Sequence, residues 1–166
     1  MTHSTDSISR ALHAAVRIKG EDYVYKSPVG NGSDQCLYTT PTGAPSCIVG
    51  WVVAKTDPDL LRDLKDYEWS GERPTSMAAG DLTADRGSVR YVPEDDVAAE
   101  ALIAAQQIQD EGMSWGAAMQ AFDRIIAGEP RREVVNEIRY LNLDAREARW
   151  QAAWNNINTH AEELSE

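Results

Sequence analysis

The stretch CLYTTPTGAPSCIVGWVVAK, residues Cys36 to Lys55, decides how the rest of the chain is read. Its opening, Cys36-Leu37-Tyr38-Thr39-Thr40, is rich in β-branched and aromatic residues and predicts a strand. Pro41-Thr42-Gly43-Ala44-Pro45 is a turn stiffened by proline and glycine. Pro45 and Ser46 then mark a helix entry, with Ser46 placed to cap free N–H groups and Cys47 in the first turn. Ile48, Val49, Trp51, Val52 and Val53 make the helix apolar nearly all round, as a core helix is. Cys47 is the sharpest chemical candidate, because the positive end of a helix dipole favours a thiolate. A nucleophilic cysteine also needs a base. The three histidines, His3, His13 and His160, lie near the chain ends and in no catalytic motif. A thiol opening an apolar helix reads first as core. Cys36 and Cys47 are too far apart for a zinc knuckle and have no second pair, so neither a metal nor a cofactor is expected.

Upstream, Ile8, Leu12, Ala15 and Val16 form a helical stripe that stops at Gly20. Residues 21–26, EDYVYK, predict a strand, and the Gly30-Asn31-Gly32-Ser33 loop joins it to the Cys36 strand as a hairpin. That loop leads into a strand and does not match a phosphate-binding P-loop. Downstream, Asp57-Pro58 opens a helix with Leu60, Leu61, Leu64 and Tyr67 on its buried face. Residues 70–87 have no period and read mostly as loop, and Ser88 to Val92 predicts a third strand. Pro93 to Asp96 then begins a helix carrying Val97, Ala101, Ala105 and Ile108. Gly112 ends it and Ser114 caps the next, with Trp115, Ala118, Met119, Phe122, Ile125 and Ile126 on one face. Val134, Ile138 and Leu141 continue in helical spacing. A change of phase at Asn142-Leu143-Asp144 leads to a last helix whose stripe is Trp150, Trp154, Ile157, Ala161 and Leu164. The expected class is α+β: a small antiparallel sheet packed with helices, followed by an α-helical hairpin and a long C-terminal helix. Residues 1–92 would form the sheet-bearing part and 93–166 an acidic helical part, packed as one globular unit.

Cys36-Leu37-Tyr38, eight residues, then Cys47-Ile48-Val49-Gly50 is a recognisable pattern, with Trp51 directly after it. With Tyr23-Val24-Tyr25 upstream and Gln109-Asp110-Glu111-Gly112 and Trp115-Gly116 downstream, it resembles a family of small uncharacterised proteins of actinobacteria and their phages. The resemblance runs discontinuously over about residues 22–122. It implies a biological setting and carries no activity with it.

Composition narrows the function classes. Of 166 residues, 42% are hydrophobic and 26% charged, as in a globular domain rather than a disordered one. The sequence shows no apolar run of about eighteen residues and no export leader, which predicts a cytoplasmic protein that does not meet the membrane. The net charge of −11 is uneven: residues 1–91 hold ten basic and twelve acidic side chains, residues 92–166 six and fifteen. Such a C-terminal half repels phosphate backbones, so nucleic acid is not an expected partner. A helix-turn-helix reader over residues 97–126, reaching out with Gln120 and Arg124, is the weakest of three readings. The first is a non-enzymatic accessory protein, phage-encoded and directed at a host protein as an inhibitor or anti-defence factor. The last helix's tryptophans are core if it docks on the rest of the chain; if it projects, the protein would bind through Trp150, Trp154 and Ile157, a stripe that could also pair two copies of the chain. The second is a cysteine-dependent hydrolase or transferase with Cys47 as nucleophile.

Overall fold

Helix ends lay out this molecule. The computed structural model describes residues 1–29, 36–84 and 89–143, together with Glu147 and Gln151. Among them are seven helices: α1 (Thr5–Lys19), α2 (Ile48–Thr56), α3 (Pro58–Glu68), α4 (Ala79–Thr83), α5 (Asp96–Asp110), α6 (Trp115–Ile126) and α7 (Arg131–Leu141). Five of them start on a side chain that accepts a free N–H of the first turn: Ser4 for α1, Cys47 for α2, Asp57 for α3, Asp95 for α5 and Ser114 for α6. Glycine stops α1, where Gly20 takes φ 95° and returns its N–H to the Val16 carbonyl.

Among the described residues the expected antiparallel sheet does not form, and the α+β class is corrected to a mainly helical one. The sheet present is two parallel strands of two residues each, β1 (Thr2–His3) and β2 (Val92–Pro93). Of the stretch 21–26, only Val24 makes a bridge, to Ser114, and of 36–40 only Thr39 does, to Pro45. The reason is where the backbone groups go. The carbonyls of Glu21 and Tyr23 accept the N–H groups of Gly116 and Trp115 at the start of α6, both at 2.8 Å. The N–H groups of Tyr38 and Thr39 donate to the Glu68 carboxylate at the end of α3. Extended segments here complete helix ends instead of pairing with one another. The segment read as loop over residues 70–87 contains α4, a five-residue helix without a side-chain cap.

One continuous core collects side chains from Ile8 to Ile138, so it crosses the expected boundary between residues 92 and 93. The most extensive packing is between α5 and α6, with α1 lying against α2 and α6, and α7 against α5 and α6. The chain start is held in place by His3, 5% exposed, whose ring stacks on Tyr91 with centroids 4.4 Å apart. Its Nε2 lies 3.2 Å from Asp57 Oδ2 without forming a hydrogen bond to it. No helix among the described residues is long and apolar enough to cross a membrane.

Two glycines in helices should respond to alanine in opposite directions. A Cβ on Gly50 would lie 2.1 Å from the Tyr38 carbonyl oxygen, a backbone atom that cannot step aside. Gly50→Ala should therefore cost about 3 kcal/mol or more, read as a lower urea midpoint. At Gly80 in α4 the nearest atom would be Ile103 Cδ1 at 3.9 Å. Gly80→Ala should instead raise stability by about 0.5 kcal/mol through helix propensity.

Candidate functional site

The residues that carried the sequence pattern meet in one buried polar cluster. Its frame is the turn from Cys36 to Cys47, closed by the Thr40 N–H donating to Ala44 O at 2.8 Å and the Gly43 N–H to Thr40 O at 2.9 Å. Gly43 is the residue that needs its glycine there, at φ 85°. Ser46 N–H donates to Tyr38 O and Cys47 N–H to Leu37 O, which brings the two ends of the turn together. Cys47 itself, not Ser46, is the N-cap of α2: its backbone is extended and its Sγ accepts the Gly50 N–H at 3.3 Å. Ser46 Oγ turns instead to Tyr25 Oη at 3.5 Å. The same phenol oxygen accepts the Leu37 N–H at 3.1 Å.

Two glutamines of α5 complete the cluster. Gln106 Nε2 and Gln109 Nε2 donate to Cys36 Sγ at 3.1 and 3.3 Å. Gln109 Oε1 accepts the Ile48 N–H at 2.7 Å, a free donor of the α2 first turn, and the Trp115 indole N–H at 3.0 Å. Gln106 Oε1 accepts the Ala79 N–H at the start of α4 and the Tyr38 hydroxyl. Thus Tyr25, Cys36, Tyr38, Cys47, Gly50, Gln109 and Trp115 hold each other in place. Trp51 stands at the edge, half-buried, with Lys19 Nζ 5.4 Å from its ring centroid.

The electrostatics are those of a sealed core. Cys36 and Cys47 are free thiols, 7% and 0% exposed. The neighbouring Cys47 thiol, with burial added, pushes the Cys36 thiol well above its ordinary range. Burial likewise pushes the Tyr38 phenol up. Glu68, fully buried, receives the Tyr38 N–H at 2.6 Å and the Thr39 N–H and hydroxyl at 2.9 and 2.6 Å. Burial raises its carboxyl above the usual range, and the donors from Thr39 and Tyr38 pull it back in part. The two described histidines are engaged elsewhere, His3 near Asp57 and His13 Nε2 at 2.8 Å from Asp123 Oδ1. Among the described residues no group of three or more histidine, cysteine or carboxylate side chains could hold a metal ion.

Trp150, Trp154 and Ile157, the expected partner-binding stripe, lie outside the described residues. The helical pair behind the DNA-reader alternative is present as α5 and α6, but Arg124 is held by Glu129 and Glu137, with Nη2 to Glu137 Oε2 at 2.7 Å. Glu68 and Gln106 were not singled out from the sequence. Both stand on otherwise apolar helical stripes, Glu68 after Leu60 and Leu64, and Gln106 beside Leu102 and Ala105. No protein-family model, curated protein or solved structure matches the chain.

Two outcomes check this cluster. A disulfide reagent should leave both thiols untouched in the native protein and titrate both in denaturant, whereas prompt native labelling of Cys47 would contradict its burial. Glu68→Leu leaves three donors without an acceptor and should cost about 3 kcal/mol or more, and Glu68→Gln, which turns an amide toward the Tyr38 N–H, about 1–2 kcal/mol. Because the folded carboxyl is raised, its stabilising contribution is full below the unfolded value and declines as pH rises through the folded one. Denaturation of Glu68→Gln from about pH 4 to about pH 7 should lack that decline, so the variant gains on the parent as pH rises.

Proposed function

We propose that this chain is a non-enzymatic accessory protein that acts by binding another protein, through the end of α7 and the segment that follows. The observation behind this reading is a cluster of apolar side chains left in solvent: Tyr140, Leu141 and Leu143 are 74%, 66% and 48% exposed. Isolated exposed apolar residues are ordinary, but three within four positions at one helix end are of the kind that anchors interfaces. They directly precede the stretch containing Trp150, Trp154 and Ile157, so aromatic and aliphatic groups continue in sequence beyond the described part. The burial of both thiols supports a structural rather than a nucleophilic use of Cys47. The resemblance to small proteins of actinobacteria and their phages makes a host protein the partner class, with inhibition or anti-defence as the role.

Affinity capture from an actinobacterial lysate tests this, with the parent, the Tyr140→Ser/Leu141→Ser double variant and Cys47→Ser run side by side. A stoichiometric protein retained by the parent and Cys47→Ser, and lost from the double variant, is the expected result. Both serines replace exposed groups, so the melting temperature should fall by no more than about 2 °C. Equal retention by all three, or nothing retained by any, would count against this surface.

A further inference from the structure

Positive charge is scarce in the C-terminal half, yet three of its arginines meet in one groove. Arg131, Arg132 and Arg139 of α7 line, with Glu100 and Gln107 of α5, a depression of about 360 Å³ floored by Val135. Such a volume is at the small end of ligand sites. Arg132 and Arg139 are seven residues apart, two helical turns, which sets them about 10 Å apart along one face.

Two of the guanidinium groups are already positioned. Arg131 Nη1 donates to Glu100 Oε2 at 2.8 Å and Nη2 to Gln107 Oε1 at 3.3 Å. Arg139 donates from Nε to both oxygens of Glu111, at 3.0 and 2.8 Å, and from Nη2 as well. Ordering them costs an incoming ligand little, since that entropy is lost on folding. Each guanidinium carries five N–H donors, more than these partners accept. Arg132 is exposed and has no ion pair among the described residues. Glu100 offsets Arg131 and Glu111 offsets Arg139, so among the described residues Arg132 is the arginine of the groove without an ion pair.

We propose that this groove binds a small, multiply charged anion carrying phosphate or carboxylate groups, with Arg132 as its first contact and spare donors of Arg131 and Arg139 as its clamp. Planar guanidinium groups suit both anion types and bind them with paired N–H donors. Glu100 is the internal competitor, because it occupies the Arg131 edge that an anion would take. The site is independent of the apolar end of α7 and of the protein-binding role.

Calorimetric titration of the full chain with inorganic phosphate, pyrophosphate and citrate, at matched ionic strength with chloride as control, tests the site. One-to-one saturable binding of pyrophosphate or citrate below about 10 mM is expected. Arg132→Ala should weaken it at least about fivefold and Glu100→Gln strengthen it about threefold, with Arg10→Ala, in a separate groove between α1 and α2, as the neutral control. Preference for pyrophosphate would identify a phosphate-bearing ligand, and preference for citrate a polycarboxylate. Absence of saturation with all three anions, indifference to Arg132→Ala, or an equal loss in Arg10→Ala would overturn the assignment.

Discussion

The contact on which most of this molecule depends is the passage of the Tyr38 carbonyl over Gly50. The oxygen occupies the place of a side chain on α2, and it also receives the Ser46 N–H. That single approach fixes the Cys36–Cys47 turn against the helix and aims Cys36 at α5. From there Gln106 and Gln109 tie α2, α4, α5 and the first residue of α6 to one point. A methyl group at position 50 would separate the turn from the helix, and the amide contacts would lose their common origin.

The cluster also shows how a mostly helical chain treats its extended segments. Each helix start leaves N–H groups without partners, and these are met by carbonyls of Glu21 and Tyr23, by Gln side chains and by the Cys47 sulfur. Backbone donors at the other surface of the turn are met by Glu68. The donors around Glu68 and the two glutamines are therefore matched rather than tolerated, which is why an ionisable side chain can sit there without a counter-charge, whereas His3 Nε2, Ser27 Oγ and Trp51 Nε1 are buried without a hydrogen bond. A matched network of this sort favours one arrangement of elements over its near relatives.

Much of the helical layout could be read directly from the chain. Asp57-Pro58, Ser114, Gly20 and Gly112 mark helix ends by local chemistry, and those ends are where the structure has them. The sheet was misread because alternation records only that one side of a segment is buried. Residues 21–26 are at most half-buried and residues 36–39 are buried on both sides, each segment lying against helices with no neighbouring strand required. Ser46 and Cys47 compete for one cap, and the choice between them depends on Tyr25, twenty-one residues away. The turn motif itself was legible as a unit, and its glutamine and glutamate partners were visible only as polar interruptions of apolar stripes. The arginine groove needs α5 beside α7, which no local pattern states.

The parallel pairing of Thr2–His3 with Val92–Pro93 joins the start of the chain to its middle. Glu94 and Asp95, just beyond, accept from Thr5 as well, and α1 packs on α6. During synthesis the first helix consequently leaves the ribosome long before β2 and α6, two of its partners, exist. Its Ile8, Leu12, Ala15 and Val16 face can meet α2 early, but the share of it that α6 covers must wait until residues near 126 have followed. Long-range closure of this kind makes the order of translation, rather than the strength of any one contact, the step at which the fold is most exposed to failure.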